Sequence, residues 1–333
     1  MQALEFAVDL GSSYITIYQK GVGLVLREPA VAVLSKVKDR YEIREAGYRA
    51  RTMMTQSLGT ARPVCPVKEG AVADPDICAL LMEGFFSKIL PKSFLRPKFN
   101  VTVAISSALT CSERKAIEKV FLKIGASGVT LVESPLALFA FSGSKGGLFV
   151  DIGGGKTEVA SVSTVGITSG CTVNIAGDAF ENAIIDYIAD KYHIKIGELT
   201  ANKLKMESLS FYRNDGGTDF VSGRALLDGS PRNIKINAGD LFCAVAPLVD
   251  NLCDVIRSVI ASTPPELAST ILENGLSISG GSSQIAGLKQ YMANQLSLAV
   301  TALDDVENAV AIGTDMLSSD KQLLSDLIGV KVD

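Results

Sequence analysis

Two glycine turns, each closing an apolar strand-like run, constrain this chain more than any other feature. Asp9-Leu10-Gly11-Ser12-Ser13 follows the run from Leu4 to Val8 and precedes another from Ile15 to Tyr18. Asp151-Ile152-Gly153-Gly154-Gly155-Lys156-Thr157 sits the same way between the runs 148–150 and 158–162. An Asp at a strand end, followed by a glycine turn carrying hydroxyls, is what a metal–phosphate site requires. Glycine lets backbone N–H groups approach phosphate oxygens, hydroxyls add donors, and the carboxylate holds Mg²⁺ through water. A single turn of this kind also makes an ordinary hairpin. Two of them, in different halves of one chain, point to duplicated domains gripping the phosphates of ATP from opposite sides.

Composition narrows the alternatives. A chain of 333 residues, 47% hydrophobic, is long enough for a large core and two domains. A net charge of -4 argues against a nucleic-acid partner, which would call for a basic field. The six cysteines (65, 78, 111, 171, 243 and 253) are scattered, and His193 is the sole histidine, so zinc sites and His-dependent triads have no support. The cysteines are expected to be reduced and buried, in a cytoplasmic protein. The start, Met1-Gln2-Ala3-Leu4-Glu5, has no basic stretch before an apolar one, so a signal peptide is not expected. No apolar run is long enough to span a bilayer, and any membrane contact should be peripheral.

Strand and helix patterns alternate along the chain, the mark of an α/β protein. The segment from Leu24 to Leu34 is broken by Glu28-Pro29 into two short strands, and Val101 to Ile105 reads as a buried strand. Ser112 is the expected N-cap of a helix that buries Ile117, Val120, Phe121 and Ile124 and stops at Gly125. After a strand at 129–132, Glu133-Ser134-Pro135 opens an apolar helix. Gly177-Asp178 opens another, with Phe180, Ala183, Ile184, Tyr187 and Ile188 as a core-facing stripe. A helix carrying Lys203 and Lys205 follows, then a turn-rich strand region over 220–236 and a long helix over 241–260. The strand 276–278 runs into Ser279-Gly280-Gly281-Ser282-Ser283, where a bare backbone and a helix N-terminus suit an adenosine.

The order of these motifs resembles the actin, sugar kinase and DnaK-type ATPase plan, and within it the bacterial actins of the MreB and Mbl group. Matching stretches run nearly end to end. They include Asp9-Leu10-Gly11, Glu28-Pro29-Ala30-Val31, Glu113-Arg114-Lys115-Ala116-Ile117, Gly177-Asp178-Ala179-Phe180 and Thr263-Pro264-Pro265-Glu266-Leu267. The last is the most telling, because no nucleotide chemistry demands it.

The resemblance implies an actin-like fold of two duplicated RNase H-like α/β domains, each with a smaller inserted subdomain. Subdomain IA would take 1–30, 65–143 and 311–333, and IB 31–64. IIA would take 144–180 and 240–310, and IIB 181–239. It implies ATP or ADP with Mg²⁺ in the central cleft, and self-polymerisation into filaments under an anionic inner membrane surface. There the filaments would meet cell-shape and wall-synthesis membrane proteins. By position, Asp9, Gly11, Ser12 and Ser13 would touch phosphates, and Asp9 and Asp151 would hold Mg²⁺ through water. Gly153, Gly154 and Gly155 would meet the β- and γ-phosphates, Gly177 and Asp178 would line the site, and Gly280, Gly281 and Ser282 would take the adenosine. Lys205 aligns with a family lysine near the base or ribose.

Four positions depart from the family pattern. Asn202 stands where the family has Glu at the ribose. Tyr14 replaces an Asn beside the phosphates. Lys156 replaces a Thr, and is expected either in solvent or as an ammonium near the γ-phosphate. Glu133-Ser134-Pro135 replaces Glu-Glu-Pro, so the carboxylate that positions the attacking water is missing unless Glu133 serves instead. Weak hydrolysis is therefore expected of a filament-forming cytoskeletal ATPase, the favoured reading; one alternative is a paralogue that binds nucleotide with little hydrolysis and acts as a structural or regulatory filament subunit. A non-polymerising chaperone-like ATPase or adaptor is the further alternative. Finally, Leu90-Pro91-Lys92-Ser93-Phe94-Leu95-Arg96-Pro97-Lys98 resembles the family's membrane loop: Phe94 and Leu95 would insert while the cations meet anionic headgroups.

Overall fold

In the computed structural model, residues 3–37, 40–54, 62–91, 97–212 and 217–329 are described. They form two compact units, Met1–Gly146 with Val162–Thr168 and Glu307–Asp333, and Gly147–Ser161 with Ser169–Val306. Phe94 and Leu95, expected to form a membrane loop, lie outside the described residues.

The first unit is built on a five-stranded sheet in the order Gly128–Glu133, Phe99–Ile105, Leu4–Leu10, Tyr14–Gln19, Gly23–Pro29. The first three strands are parallel, and Tyr14–Gln19 is antiparallel to both its neighbours. The register sets Asp9 beside Ala104 and Glu133 beside Ile105. The carboxyl ends of the parallel strands therefore bring Asp9 and Glu133 to one sheet edge, where open α/β sheets bind their ligands. Apolar side chains alternate out of the strands into a core centred on Phe6, Phe86, Phe99 and Phe121, each no more than 1% exposed. Their rings meet at 5.1 to 6.3 Å, mostly edge to face.

Helix boundaries follow local chemistry. Asp74 caps Pro75–Ile89 by accepting from the N–H groups of Asp76 and Ile77. The helix expected to start at Ser112 spans Cys111–Lys123 and is capped by Thr110, which forms a reciprocal capping box with Glu113. Those hydrogen bonds from Thr110 hold the Glu113 carboxyl below its ordinary pKa. The apolar helix Ser134–Ser142 packs on Ala309–Ser319 so closely that Gly313 lies against the Ala137 carbonyl, with no room there for a Cβ.

The second unit repeats the sheet plan, in the order Gly166–Val173, Thr157–Ser163, Gly146–Ile152, Leu276–Ser279, Val300–Ala302. Again the first strand of the unit, Gly146–Ile152, pairs in parallel with a later one, Leu276–Ser279, which pairs in parallel with Val300–Ala302, and the register sets Asp151 beside Ser279. A three-stranded sheet (Ile194–Lys195, Thr218–Ala225, Pro231–Asn237) accompanies it. In the helix Gly177–Tyr192 the expected stripe narrows to Phe180, Ile184 and Ile188, all fully buried, with Ala183 and Tyr187 half-buried. The long helix Ala238–Ala261 is capped by Asn237 and Asp240.

The six cysteines are free thiols, but the expectation that all are buried holds only for Cys78 and Cys253. Burial pushes those two thiols up to about 12 and about 11. Cys111, Cys171 and Cys243 are exposed and Cys65 is intermediate.

Asp240 also ties two helices of the second unit together. Its carboxylate accepts from Lys191 and from the Tyr192 hydroxyl at 2.7 Å. Burial works to raise its pKa, yet the Lys191 and Tyr192 hydrogen bonds prevail and hold the carboxyl below its ordinary value. A depressed folded-state pKa contributes stability that is present above the unfolded carboxyl pKa and is lost as pH falls through the folded one. Asp240→Asn should therefore lower the melting temperature at pH 7, and the gap to wild type should close as pH drops below about 4. A gap that is constant with pH, measured by thermal melts, would rule out the ionised carboxylate as its source.

Candidate functional site

In the first unit, the turn after Asp9 is too tight for any residue but glycine at position 11. A Cβ there would stand 2.6 Å from the Tyr14 carbonyl oxygen. The Ser12 hydroxyl accepts from the Gly70 N–H at 3.3 Å, while the Ser13 side chain is exposed and its carbonyl accepts from the Ala30 N–H. Tyr14 is clamped between arginines. Its hydroxyl accepts from Arg51 at 2.8 Å, and the Arg27 guanidinium lies 4.2 Å from its ring centroid. Arg27 in turn pairs with Glu307 at 3.0 Å.

At the same sheet edge, Ser134 is buried and its hydroxyl donates to the Ile105 carbonyl at 3.0 Å. Glu133 pairs with Arg114 at 2.5 Å, and Arg114 also donates to the carbonyl of Leu109. Both groups considered for positioning a water thus have protein partners.

In the second unit, three backbone segments are knitted together around Gly153. Its carbonyl accepts from the Gly177 N–H at 3.1 Å and from the Ser282 hydroxyl at 2.8 Å. The Gly154 carbonyl accepts from the Asp178 N–H at 2.8 Å, and Thr157 donates its hydroxyl to Ile175. The Gly153 N–H closes the turn on the Lys156 carbonyl, whereas the N–H groups of Gly154 and Gly155 have no partner among the described residues. Gly280 sits at φ +85°, in the left-handed region, with its α-carbon against the Ile152 carbonyl; a Cβ would also stand 2.7 Å from the Asp151 carboxylate. Gly281, one residue on, faces open space.

A Cβ at Gly177 would stand 2.9 Å from the Ser282 hydroxyl and 3.0 Å from the Lys205 ammonium. Asp151, Gly153, Gly177, Lys205 and Gly280 to Ser282 therefore converge in space, although more than 100 positions separate some of them. The unpaired amides and the open face at Gly281 fit a phosphate chain and an adenosine. Among the described residues no three His, Cys, Asp or Glu side chains cluster as metal ligands.

Two departures from the family pattern find partners here. Lys156 neither stands free in solvent nor reaches outward: its ammonium is 2.9 Å from Glu158, a side chain only 1% exposed. Asn202 and Lys205, from the helix Glu198–Glu207, both donate to one oxygen of Glu181, at 2.7 and 2.5 Å. Sequence reasoning passed over Glu181. The available signal was its place one turn after Gly177-Asp178, on the helix that opens the site. Lys156→Ala should leave a buried carboxylate short of its cation and cost on the order of 3 kcal/mol, read by urea denaturation. An unchanged midpoint would mean that Glu158 is satisfied without it.

Comparison with known proteins identifies the family and the fold. The family described as "MreB/Mbl protein" matches residues 3–326. The chain is 32% identical over 317 residues to the cell shape-determining protein MreB of Escherichia coli (strain K12), spanning 93% of this chain and 91% of that one. Among solved structures, MreB 5 of Spiroplasma citri bound to AMPPNP superposes with a TM-score of 0.89 at 28% identity, over 96% of this chain and 97% of that one. Its ADP-bound form gives 0.88. The MamK double helical filament shares the fold at a TM-score of 0.81 and 18% identity, over 96% of this chain and 99% of that one.

Proposed function

Because the chain belongs to the MreB/Mbl family, we propose that it is an actin-like filament protein that binds ATP with Mg²⁺. Its filaments would lie on the cytoplasmic face of the membrane and organise wall synthesis and rod shape together with membrane proteins of that machinery. The carrying observation is the convergence of Asp151, the unpaired Gly154 and Gly155 amides, Gly177 and the open face at Gly281 within one unit. The AMPPNP- and ADP-bound states of the Spiroplasma citri protein support the same reading. In it, Gly154 and Gly155 donate to phosphate oxygens, and Gly280 and Gly281 flank the adenosine. Asp9, Gly11, Ser12 and Ser13 form the other phosphate turn, and Asp9 and Asp151 hold the water shell of Mg²⁺. The ion neutralises phosphate charge. The four-subdomain division drawn from the sequence belongs to the same proposal.

The partners of Glu133 and Ser134 favour a second element of this reading, slow turnover. A water is positioned best by a carboxylate aimed at it; here the Ser134 hydroxyl donates its hydrogen bond to the Ile105 carbonyl, and Glu133 is occupied by Arg114. The loss of a positioned general base is worth about a hundred- to ten-thousand-fold in rate.

ATP titration and pelleting test the reading together. Wild type should bind ATP-Mg²⁺ and sediment as filaments with slow phosphate release, while Asp151→Ala should bind at least about tenfold more weakly. Nucleotide binding without sedimentation, across salt conditions and added lipid, would favour the adaptor alternative. Ser134→Glu should speed phosphate release. If Glu133→Ala abolishes release and Ser134→Glu leaves it unchanged, the catalytic role belongs to Glu133 and turnover is not impaired at Ser134.

The membrane element rests on sequence: Phe94 and Leu95 stand among Lys92, Arg96 and Lys98, between Pro91 and Pro97. Replacing both with Ser should abolish co-sedimentation with anionic liposomes and leave ATP affinity unchanged. High salt should weaken the wild-type interaction only in part, because it screens cations but not apolar insertion. Continued liposome binding by the double variant would place the anchor elsewhere.

A further inference from the structure

We propose that Glu181 supplies the carboxylate that accepts hydrogen bonds from the ribose hydroxyls of the bound nucleotide. This rests on the reading that the nucleotide occupies the glycine cluster of the second unit.

Position 202, one helical turn before Lys205, carries an amide here. An amide brings no charge to balance Lys205, whose ammonium is buried, and a buried cation without a counter-charge is strongly unfavourable. Glu181 provides that charge from the neighbouring helix Gly177–Tyr192. The way it does so bears on the ligand. Lys205 and Asn202 both donate to Oε1, so two donors fix the orientation of the carboxylate through one oxygen. Oε2 is left with no partner among the described residues, and the side chain is 15% exposed. An ionised carboxylate is an acceptor only, with lone pairs on both oxygens. A ribose presents hydroxyl donors, so the chemistry of the remaining oxygen matches a sugar hydroxyl and repels a phosphate.

Location agrees. Glu181 lies one turn from Gly177, whose α-carbon borders the Ser282 hydroxyl, the Lys205 ammonium and the Gly153 carbonyl. The Lys205 ammonium also lies 3.5 Å from the Gly177 carbonyl. Lys205 is then not a phosphate-binding cation: its charge is spent on Glu181, and together with Asn202 it aims that carboxylate.

A purely structural ion pair between two helices would make the same contacts, so the test must read the sugar. Affinities for ATP, 2′-deoxy-ATP and 3′-deoxy-ATP would be measured on the full chain, for wild type, Glu181→Gln and the exchange variant Glu181→Gln/Asn202→Glu. Wild type should prefer ATP over at least one deoxy analogue by on the order of tenfold, the scale of one hydrogen bond to a charged group. Glu181→Gln should shrink that ratio severalfold while the affinity for the deoxy analogue changes little. The exchange variant returns the carboxylate to the same cluster and should restore both the melting temperature and the preference for ATP. An equal loss of affinity for all three nucleotides, with the ratio unchanged, would make Glu181 structural only and overturn the inference. Wild type that binds ATP and both deoxy analogues equally would also overturn it while leaving the nucleotide reading intact. Wild type that binds none of them would overturn both.

Discussion

Position 280 admits a hydrogen atom and nothing larger, and the second unit is arranged around that fact. The Gly280 α-carbon rests against the Ile152 carbonyl and beside the Asp151 carboxylate at a φ of +85°. A side chain there would push apart the adjacent strands Gly146–Ile152 and Leu276–Ser279 where they end. Since the contact is backbone on backbone, no rotamer change relieves it. The close approach sets Ser279 beside Asp151 and lets the Ser282 hydroxyl reach the Gly153 carbonyl. Gly153 then accepts from Gly177 as well, which fixes the start of the helix that carries Glu181. One steric constraint thus positions an acidic strand end, a glycine turn and a helix start at once. The candidate site is made mainly of backbone that these contacts already hold in place.

The first unit reaches a comparable edge by other means. Toward the ends of its three parallel strands Asp9 stands beside Ala104 and Glu133 beside Ile105, and Gly11 turns the chain inside the space left by the Tyr14 carbonyl. No counterpart of the Gly153 knot forms among its described residues. The neighbouring groups are held instead by charged side chains: Arg51 and Arg27 on Tyr14, Arg114 on Glu133, Lys88 on Glu28. Backbone knots are insensitive to salt and pH, whereas half-exposed ion pairs weaken as salt is added. The two units share a topology and differ in what fixes their site-facing residues.

Much of this was legible in the chain itself. Both glycine turns announced themselves because an Asp and a Gly closed apolar runs of strand length, and the structure places them at strand ends with the antiparallel return expected of the first. The long helix 238–261 followed from its periodicity. What failed was local or long-range in a way that patterns do not carry. Ser112 gave way to Thr110 because a reciprocal box with Glu113 satisfies more of the free N–H groups than a lone serine does. The helix Ala309–Ser319 gave no sign of its packing, since the feature that matters, a missing side chain at Gly313 opposite Ala137, has meaning only once the two helices touch. For Glu181 the sequence offered its place one turn after Gly177-Asp178, but not its contacts. Its partners lie 21 and 24 residues away, and nothing in the spacing says that one carboxylate oxygen serves both.

The positions that depart from the family pattern are answered within their own unit: Lys156 by Glu158, Asn202 by Glu181, Tyr14 by Arg51, Ser134 by the Ile105 carbonyl. This bears on how firmly Glu133 is tied. Its ion pair with Arg114 is only partly buried, side chains 27% and 32% exposed, and pairs of that kind are worth about 1 kcal/mol or less. Arg114 would not be stranded if Glu133 left, because it keeps the Leu109 carbonyl. Ser134 differs: its hydroxyl is buried, and leaving such a group without a partner costs about 1–3 kcal/mol. Of the two groups at the start of that helix, Glu133 is thus the one that can be recruited, at a cost of less than about tenfold in population. In the proposed reading, a recruited Glu133 would limit the slowing to the cost of breaking that tie, below about tenfold, and only a Glu133 that stays with Arg114 would leave the larger loss of a missing general base.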